Sequence, residues 1–296
     1  MENRRAFLKN TTFLAGGMMI FGANNIFASN ANAINTNKGG SMGYITLNNG
    51  VKMPNMGFGT WNLRADEAKA TILEALNVGY RLIDTASYYR NEKEIGEAVR
   101  EFMAKSGVKR EEIFITTKVF EDNAEAEFTR SMKNLDLGYI DLYLIHWPKG
   151  SDKKRWEVLQ KHYKSGEIRA IGVSNYDISE IENLMKTSDT KPALNQIRIN
   201  PFSRDKATIE YCKAQNIAVQ AYTSLGNLSV ALKNKTLQEI AKKYNKSIPQ
   251  IMLRWALQQD FIPIPKSSNP KRIRENFDIF DFSLSSDDMA KISSIS

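Results

Sequence analysis

The chain alternates short apolar runs with amphipathic helical periods from Tyr44 to its end, and this alternation is the feature that most constrains its fold. Strand–helix pairs in succession are the pattern of βα units, which build a parallel sheet. Two short runs, Tyr44–Leu47 and Val51–Met53, predict a hairpin before the first unit, joined by an Asn48-Asn49-Gly50 turn. Strands are then predicted at Met56–Thr60, Leu82–Asp84, Ile113–Lys118, Leu142–His146, Ala170–Val173, Leu194–Ile199, Ala218–Tyr222 and Ile262–Pro265.

Helical periods fill the segments between these strands. They are Ala65–Asn77, Lys93–Ser106, Ala124–Leu137, Lys153–Lys164, Ser179–Lys186, Asp205–Gln215, Thr236–Tyr244, Pro249–Gln258 and Pro270–Phe277. The predicted caps at helix starts are Asp66, Asp177 or Ser179, and Ser247. A last amphipathic helix is expected from Ser285 onward, where it closes the chain.

An open, doubly wound sheet is the alternative fold, and it would need a Gly-x-Gly-x-x-Gly turn after the first strand. Gly57-Phe58-Gly59-Thr60-Trp61 offers only the first two glycines, and no helix follows it directly. No Pro-, Gly- or Ser-rich linker interrupts residues 44–296. Eight strand–helix units in about 250 residues therefore predict a closed (β/α)8 TIM barrel of the α/β class, folded as a single domain.

Residues 1–33 have the order of an export signal. The pair Arg4-Arg5 precedes an uncharged, moderately apolar run from Thr11 to Ala28, and Ala31-Asn32-Ala33 has a small-x-small cleavage pattern. Because the arginine pair resembles a twin-arginine signal, we expect export to the periplasm or elsewhere outside the cytoplasm, with no permanent membrane span. A disordered tail or an uncleaved anchor, on a protein that stays in the cytoplasm, is the alternative.

Composition narrows the classes of partner. A hydrophobic fraction of 42% with 25% charged residues is typical of a soluble globular protein. The net charge of +8 suits phosphate-bearing ligands or nucleic acid, but no Lys/Arg block with interleaved aromatics is present, so we expect no nucleic-acid partner. The single cysteine, Cys212, excludes an intrachain disulfide and a cysteine metal cluster. We expect a monomer that binds a small molecule and no metal.

Polar and ionisable residues end nearly every predicted strand, which is where barrel enzymes place their functional side chains. They are Asp84 with Tyr88 and Tyr89 beyond it, Lys118, His146-Trp147-Pro148, Ser174-Asn175, Gln196, Tyr222 and Lys266-Ser267-Ser268. Since the rest of each run is apolar, this distribution predicts a functional site at one end of the barrel.

Four of these residues make chemical sense together: Asp84, Tyr89, Lys118 and His146. A tyrosine has an ordinary pKa near 10, and a neighbouring ammonium lowers it by favouring the phenolate. A carboxylate would hold the lysine charged and in place, and a histidine would hydrogen-bond and orient a substrate oxygen. The set favours proton donation to a carbonyl group.

Three segments resemble the signatures of the aldo-keto reductases, in the family's order. They are Gly79-Tyr80-Arg81-Leu82-Ile83-Asp84-Thr85-Ala86 with Glu92 and Gly96, Ile171-Gly172-Val173-Ser174-Asn175-Tyr176, and Ile264-Pro265-Lys266-Ser267 with Arg272 and Glu275-Asn276. The resemblance covers residues 44–282 and is nearest to compact bacterial members similar to the diketogluconate reductases. It implies reduction of an aldehyde or ketone by hydride transfer from NADPH; a non-catalytic NADPH-binding regulatory barrel is the alternative.

The resemblance also implies residue roles. Tyr89 would be the general acid, Lys118 would tune it, Asp84 would anchor Lys118, and His146 would orient the carbonyl. In the cofactor site, the nicotinamide carboxamide would contact Ser174, Asn175 and Gln196, the nicotinamide ring would stack on Tyr222, and the adenine would meet Glu275 and Asn276.

The residues that follow the last strand bear on cofactor choice. Lys266, Ser267, Ser268 and Arg272 supply two cations and two hydroxyls where a helix begins, a set suited to a phosphate monoester. In the family the adenosine 2′-phosphate lies there. We therefore expect NADPH to be preferred over NADH.

The sequence also departs from the family pattern. Arg198 stands where an acidic residue is usual, on the same strand face as Gln196, and a buried guanidinium there would need a carboxylate or an anionic ligand. A Val-Trp pair usually follows the lysine, but Val119-Phe120 follows it here. The long carboxyl-terminal specificity loop has no counterpart, so an open pocket of broad specificity is expected. Its expected apolar walls are Trp61, Tyr88, Phe120 and Trp147.

Overall fold

The computed structural model describes residues 42–150 and 152–295, so the predicted export signal at residues 1–33 lies outside the described residues. The described part begins with two antiparallel strands, β1 (Tyr44–Thr46) and β2 (Lys52–Pro54). These confirm the predicted amino-terminal hairpin.

Parallel strands follow the hairpin and pair in strict chain order. They are β3 (Phe58–Gly59), β4 (Leu82–Asp84), β5 (Phe114–Val119), β6 (Ile140–Ile145), β7 (Ile168–Ser174), β8 (Leu194–Arg198), β9 (Ala218–Tyr222) and β10 (Ile262–Pro263). Each strand pairs in parallel with the next, as βα connections require. The predicted (β/α)8 barrel is confirmed.

Backbone hydrogen bonds join the two outer strands of this sheet into a closed barrel. The Gly57 N–H donates to the Pro263 carbonyl at 3.0 Å, and the Gly59 N–H donates to the Pro265 carbonyl at 3.1 Å. A Cβ on Gly59 would lie 2.8 Å from the Ile264 carbonyl oxygen, so only glycine allows this approach. The Gly-x-Gly segment that lacked the dinucleotide-binding pattern therefore closes the barrel.

Helices connect the strands, and their bounds agree with the predicted periods to within about two residues at most ends. They are α1 (Ala65–Val78), α2 (Glu92–Ser106), α3 (Ala124–Leu135), α4 (Asp152–Lys164), α5 (Ile178–Lys186), α6 (Lys206–Ala214), α7 (Leu228–Ala231), α8 (Lys235–Tyr244), α9 (Ile248–Gln258), α10 (Pro270–Phe277) and α11 (Ser286–Ser293). The short α7 was not predicted, and neither were two 3₁₀ helices, Ser87–Tyr89 and Arg110–Glu112.

The predicted helix caps are right in two cases and wrong in one. Asp177 and Ser247 cap α5 and α9 with their side-chain oxygens. Asp66 does not cap α1, because Arg64 occupies the cap position and its backbone N–H donates to the Glu67 carboxylate at 3.3 Å. Asp66 lies in the first turn instead.

Alternating strand residues divide the core into two clusters. Inward-facing residues such as Leu82, Leu142 and Leu144 fill the barrel, and Leu47 and Met53 of the hairpin pack against the same cluster. The alternate, outward-facing residues pack against the helices. Within the described part of the chain, no helix combines the length and apolar character that a membrane crossing requires.

Candidate active site

The inward faces of the strands carry ionisable side chains to the carboxyl-terminal end of the barrel. Asp84 lies two residues after the inward-facing Leu82, and His146 lies two residues after Leu144. Lys118 also faces inward, near the end of its strand. Because parallel strands end at the same rim, side chains that are distant in sequence meet there.

Lys118 and Asp84 form a buried ion pair. The Lys118 Nζ donates to Asp84 Oδ1 at 2.7 Å and to the Thr85 carbonyl at 2.8 Å, and both side chains are almost wholly buried. The second carboxylate oxygen of Asp84 accepts from Gln196 Nε2 at 2.6 Å. Burial alone would lower the pKa of Lys118, but Asp84 and Tyr89 together raise it, so the ammonium stays charged.

Burial likewise raises the pKa of the Asp84 carboxyl, while its bonds to Lys118 and Gln196 act in the opposite direction. These bonds occupy both carboxylate oxygens, which satisfies a charge that would otherwise be unfavourable in the interior. The placement matches the predicted role of Asp84 as the anchor of Lys118.

Tyr89 lies at the end of the 3₁₀ helix that follows β4, and its ring faces Lys118. The Lys118 Nζ lies 5.0 Å from the centre of the Tyr89 ring. Burial raises the pKa of the Tyr89 hydroxyl, and Lys118 opposes that effect. Because burial outweighs the effect of Lys118, the tyrosine stays protonated at neutral pH.

His146 packs against Tyr89 almost at right angles. The two ring centres lie 5.6 Å apart with an interplanar angle of 73°. Burial, together with Lys118 and Lys149, lowers the pKa of His146 to about 3. The imidazole is therefore neutral over the whole range in which proteins are usually stable.

Glu127 ties the tyrosine turn to the neighbouring pocket wall, and sequence reasoning missed it. Its carboxylate, on α3, accepts hydrogen bonds from the Ser87 hydroxyl, the Phe120 N–H at 3.0 Å and the Glu121 N–H at 2.6 Å. Ser87 begins the turn that carries Tyr89. In the sequence, Glu127 is one acidic position of an amphipathic helix, and nothing local marks it.

A cavity of about 580 Å³ opens at this end of the barrel. Its walls include every predicted apolar wall residue and all of the predicted tetrad except the buried Lys118. Tyr88 stacks on Trp61 at 6.1 Å and meets Phe120 at 4.7 Å between ring centres. Trp61, Tyr88 and Trp147 are each about half exposed. Large aromatics exposed around one cavity are typical of a binding site.

The predicted nicotinamide contacts form one hydrogen-bonded network beside the ion pair. The Tyr222 hydroxyl donates to Asn175 Oδ1 at 2.7 Å, and Asn175 Nδ2 donates to Ser174 Oγ at 3.0 Å. Asn175 has a φ of 64°, and Thr223, a β-branched residue, has a φ of 53°. Asparagine tolerates left-handed backbone, but for the β-branched Thr223 it is unfavourable, and such strained residues cluster at functional sites.

The loop after β9 also lines the cavity, and sequence reasoning missed all of it except Tyr222 before it. Thr223, Ser224, Leu225 and Gly226 all line the wall beyond Tyr222. A run of small polar residues and glycine directly after a barrel strand was the available signal.

A smaller cavity of about 200 Å³ adjoins the first and shares Leu225 and Lys266 with it. It contains the complete predicted phosphate and adenine set: Lys266, Ser267, Ser268, Arg272, Glu275 and Asn276. The first amides of α10 are already satisfied, because Asn269 Oδ1 accepts from Lys271 N and Arg272 N. An anion in this cavity would therefore be held by side chains rather than by free helix amides.

Arg198 differs from the expectation of a buried guanidinium. It lines the large cavity, but its side chain is exposed, with the guanidinium 5.9 Å from the centre of the Tyr222 ring. Because β8 ends at this residue, Arg198 stands at the rim of the barrel and not in its interior. The Arg198 guanidinium is therefore not a buried charge and needs no neutralising partner.

Residues 55–296 match the family model described as the aldo/keto reductase family. The chain belongs to the aldo/keto reductase family. This aldo/keto reductase is 45% identical over 261 residues to a glyoxal reductase of Bacillus subtilis, a match that covers 85% of this chain and 92% of that protein. It is 42% identical over 257 residues to a 9,11-endoperoxide prostaglandin H2 reductase of Trypanosoma cruzi, covering 84% and 89% of the two chains.

Solved structures agree with the fold. A crystal structure of an aldo/keto reductase from Brucella melitensis superposes with a TM-score of 0.82 at 38% identity, covering 86% of this chain and all of that one. A Bombyx mori aldo-keto reductase, solved in complex with NADP, superposes with a TM-score of 0.78 at 36% identity, covering 84% and 91%.

The described residues fit an extended dinucleotide phosphate. Two adjoining cavities share a wall; the first offers amides, hydroxyls and an aromatic ring beside the tetrad, and the second offers two cations and two hydroxyls. Charge-assisted bonds of this kind suit a phosphate monoester. This aldo/keto reductase is therefore an NADP-dependent oxidoreductase.

Proposed function

We propose that this enzyme reduces an aldehyde or ketone to the alcohol, with Tyr89 as the proton donor. The observation that carries the proposal is the position of the Tyr89 ring. It lies against both the Lys118 ammonium and the neutral His146 imidazole, at the wall of the large cavity.

Lys118 stabilises the charge that develops when the Tyr89 hydroxyl gives up its proton. An ammonium 5.0 Å from the ring favours the phenolate, and burial strengthens the attraction because little water screens it. Asp84 keeps Lys118 protonated and fixed through the 2.7 Å bond. Lys118 and Asp84 thus support the proton transfer through Tyr89.

His146 orients the carbonyl group. A neutral imidazole offers one N–H, which can hydrogen-bond a carbonyl oxygen next to the Tyr89 hydroxyl. Its low pKa means that it neither gains nor loses a proton at neutral pH, so the proton transferred to the substrate comes from Tyr89. NADPH, when bound, supplies the hydride that the carbonyl carbon accepts and is itself oxidised to NADP⁺.

The open aromatic walls support broad acceptance of small carbonyl compounds. Exposed aromatic rings border the large cavity. Because the Bacillus subtilis relative is named for glyoxal, glyoxal is a suitable first substrate, followed by a panel of aldehydes and ketones with NADPH and NADH side by side.

Replacing Tyr89 by phenylalanine tests the proton donor. The change keeps the ring and removes the hydroxyl, so we expect carbonyl reduction to fall about 10²- to 10⁴-fold with NADPH binding nearly intact. NADPH oxidation with glyoxal measures the rate, and fluorescence titration measures the binding. Tyr88→Phe is the matched variant, since Tyr88 is the adjacent tyrosine on the same turn.

A large loss in Tyr88→Phe with wild-type turnover in Tyr89→Phe would mean that the wrong tyrosine was assigned. A wild-type protein that binds NADPH but reduces no carbonyl compound would instead support the non-catalytic, regulatory barrel.

A further inference from the structure

Arg198 is a cation of the large cavity that the proposed chemistry does not use. It stands at the end of β8, two residues after Gln196, with its side chain exposed on the cavity wall. Its guanidinium lies over the Tyr222 ring, at 5.9 Å. Within residues 42–150 and 152–295, no carboxylate forms an ion pair with it.

The charged residues that line this cavity give it a net positive charge. Asp84 contributes a negative charge, but the Lys118 ammonium neutralises it at 2.7 Å. His146 is neutral because its pKa is about 3. Arg198 and Lys266 then remain as cations on the wall of the cavity. A cavity of this kind attracts anionic ligands and disfavours cationic ones.

A further cation, Lys149, lies beside the aromatic residue Phe120 of the cavity wall. The Lys149 Nζ stands 4.0 Å from the centre of the Phe120 ring and donates to the Phe120 carbonyl at 2.7 Å. After burial and Lys118, its charge also contributes to the low pKa of His146. Arg198 differs from Lys149 because none of its five N–H donors has an acceptor among the described residues.

A guanidinium with free donors is suited to a planar oxyanion. Its fork binds both oxygens of a carboxylate at once, which an ammonium cannot do. The position of Arg198 indicates which ligand supplies the oxyanion. It borders the cavity that holds the tetrad, and it is absent from the walls of the smaller cavity that contains Arg272.

We infer that Arg198 binds a carboxylate on the substrate, so that the preferred substrates are carbonyl compounds that also carry a carboxylate, such as aldehyde acids. This inference rests on the proposed carbonyl reduction. The carboxylate pairs with Arg198 while the carbonyl group lies between Tyr89 and His146. The pyrophosphate of the cofactor offers similar oxygens, and the experiment distinguishes the two.

Pairs of substrates that differ only in charge test the inference. Glyoxylate, 4-oxobutanoate and 5-oxopentanoate, in which the carbonyl group and the carboxylate are separated by increasing lengths of chain, are each compared with their methyl esters. For at least one pair, the wild type should have a higher kcat/KM for the acid. In Arg198→Gln the ratio of kcat/KM for the acid to kcat/KM for the ester should fall about tenfold, mainly through KM. A tenfold change is the low end of the effect expected for one charge-assisted hydrogen bond, because Arg198 is exposed to solvent.

Two further variants complete the design. Arg198→Lys retains the charge without the fork and should restore part of the preference. Lys206→Gln removes an exposed positive charge on α6 that does not line the cavity, and it should keep the acid-to-ester ratio of the wild type. Fluorescence titration of NADPH is run on every variant, and melting temperatures confirm that each is folded.

Each other outcome overturns the inference. Equal losses for acid and ester with weaker NADPH binding would assign Arg198 to the pyrophosphate. A wild type without any preference for the acid, or an unchanged ratio in Arg198→Gln, would show that Arg198 binds no carboxylate. If the wild type reduces neither acids nor esters, the proposed function fails first, and that result is distinct from reduction without charge preference.

Discussion

Replacing His146 by glutamine tests the electrostatic environment of the site through the protein's stability in mild acid. Burial, with Lys118 and Lys149, holds the pKa of the folded imidazole at about 3, whereas an unperturbed histidine titrates near 6.5. As the pH falls below about 6.5, the unfolded chain binds the proton and the folded protein does not. The stability that depends on neutral His146 is therefore complete above about pH 6.5 and is lost progressively toward pH 3.

The size of the effect follows from the same two pKa values. Each pH unit between them changes the free energy of unfolding by about 1.4 kcal/mol, so a step from pH 7 to pH 5 removes about 2 kcal/mol through His146 alone. Because the unfolding entropy is about 2 cal/mol/K per residue, that loss lowers the melting temperature of a barrel of about 250 residues by about 4 °C. Glutamine cannot be protonated, so this part of the acid sensitivity should vanish in the variant.

Urea unfolding at pH 7 and pH 5 measures the effect as a difference between the wild type and His146→Gln. The carboxylates that also titrate are common to both proteins and cancel. His162→Gln is the matched control for the loss of one histidine, because His162 is the other histidine of the chain and does not line the cavity. If His146→Gln loses as much stability as the wild type, His146 is not held neutral by its surroundings.

Two other substitutions test the cofactor site and the support of the tyrosine turn. Arg272→Ala should weaken NADPH binding about ten- to a hundredfold by removing one charge-assisted bond, with little effect on NADH and a smaller effect at high salt; Lys271→Ala, an exposed neighbour, is the control, and equal weakening of both cofactors in a titration would assign Arg272 to the fold. Glu127→Ala should lower the free energy of unfolding by about 2 kcal/mol, because the Ser87 hydroxyl and the Phe120 N–H lose their acceptor. Urea unfolding checks this value, and a variant as stable as the wild type would contradict it.

Most of the fold could be predicted from the sequence because its patterns are local. A period of two along a strand and of about 3.6 along a helix depends only on which residues face the core, and both recur through the chain. The predicted hairpin, the eight strands in order and the helix from Ser285 onward all agree with the structure. The apolar interior that these patterns require is what selects a closed barrel.

The ends of elements were less predictable where pairing partners decide them. The first barrel strand was expected over Met56–Thr60 but spans Phe58–Gly59, and the last was expected to reach Pro265 but ends at Pro263. Proline has no N–H, so Pro263 and Pro265 accept hydrogen bonds from the glycines of the first strand without returning any. The ladder between the first and last barrel strands is therefore short, and its hydrogen-bond donors all lie on the first strand.

The candidate site divides in the same way between residue identity and spatial arrangement. Residue type and position at strand ends are enough to indicate Asp84, Lys118 and His146, since the barrel brings strand ends together, whereas the choice of Tyr89 over Tyr88 rests on the resemblance to the family. Glu127 gave no such signal, because its bond to Ser87 joins residues 40 positions apart on different elements. The roles assigned to all of these residues stay predictions that the substitutions above test.

The sequence by itself determined the order of the βα units, and therefore the barrel. It also determined which ionisable side chains stand at the ends of the strands, and therefore the chemistry available at the rim. Only the tertiary structure decided how that chemistry is tuned. Burial raises the pKa of Tyr89 by more than Lys118 lowers it, and burial also lowers the pKa of His146. The Arg198 side chain is exposed instead of buried. The physical reason is that desolvation and charge interactions depend on the distances between groups from different strands, and a linear sequence does not contain those distances.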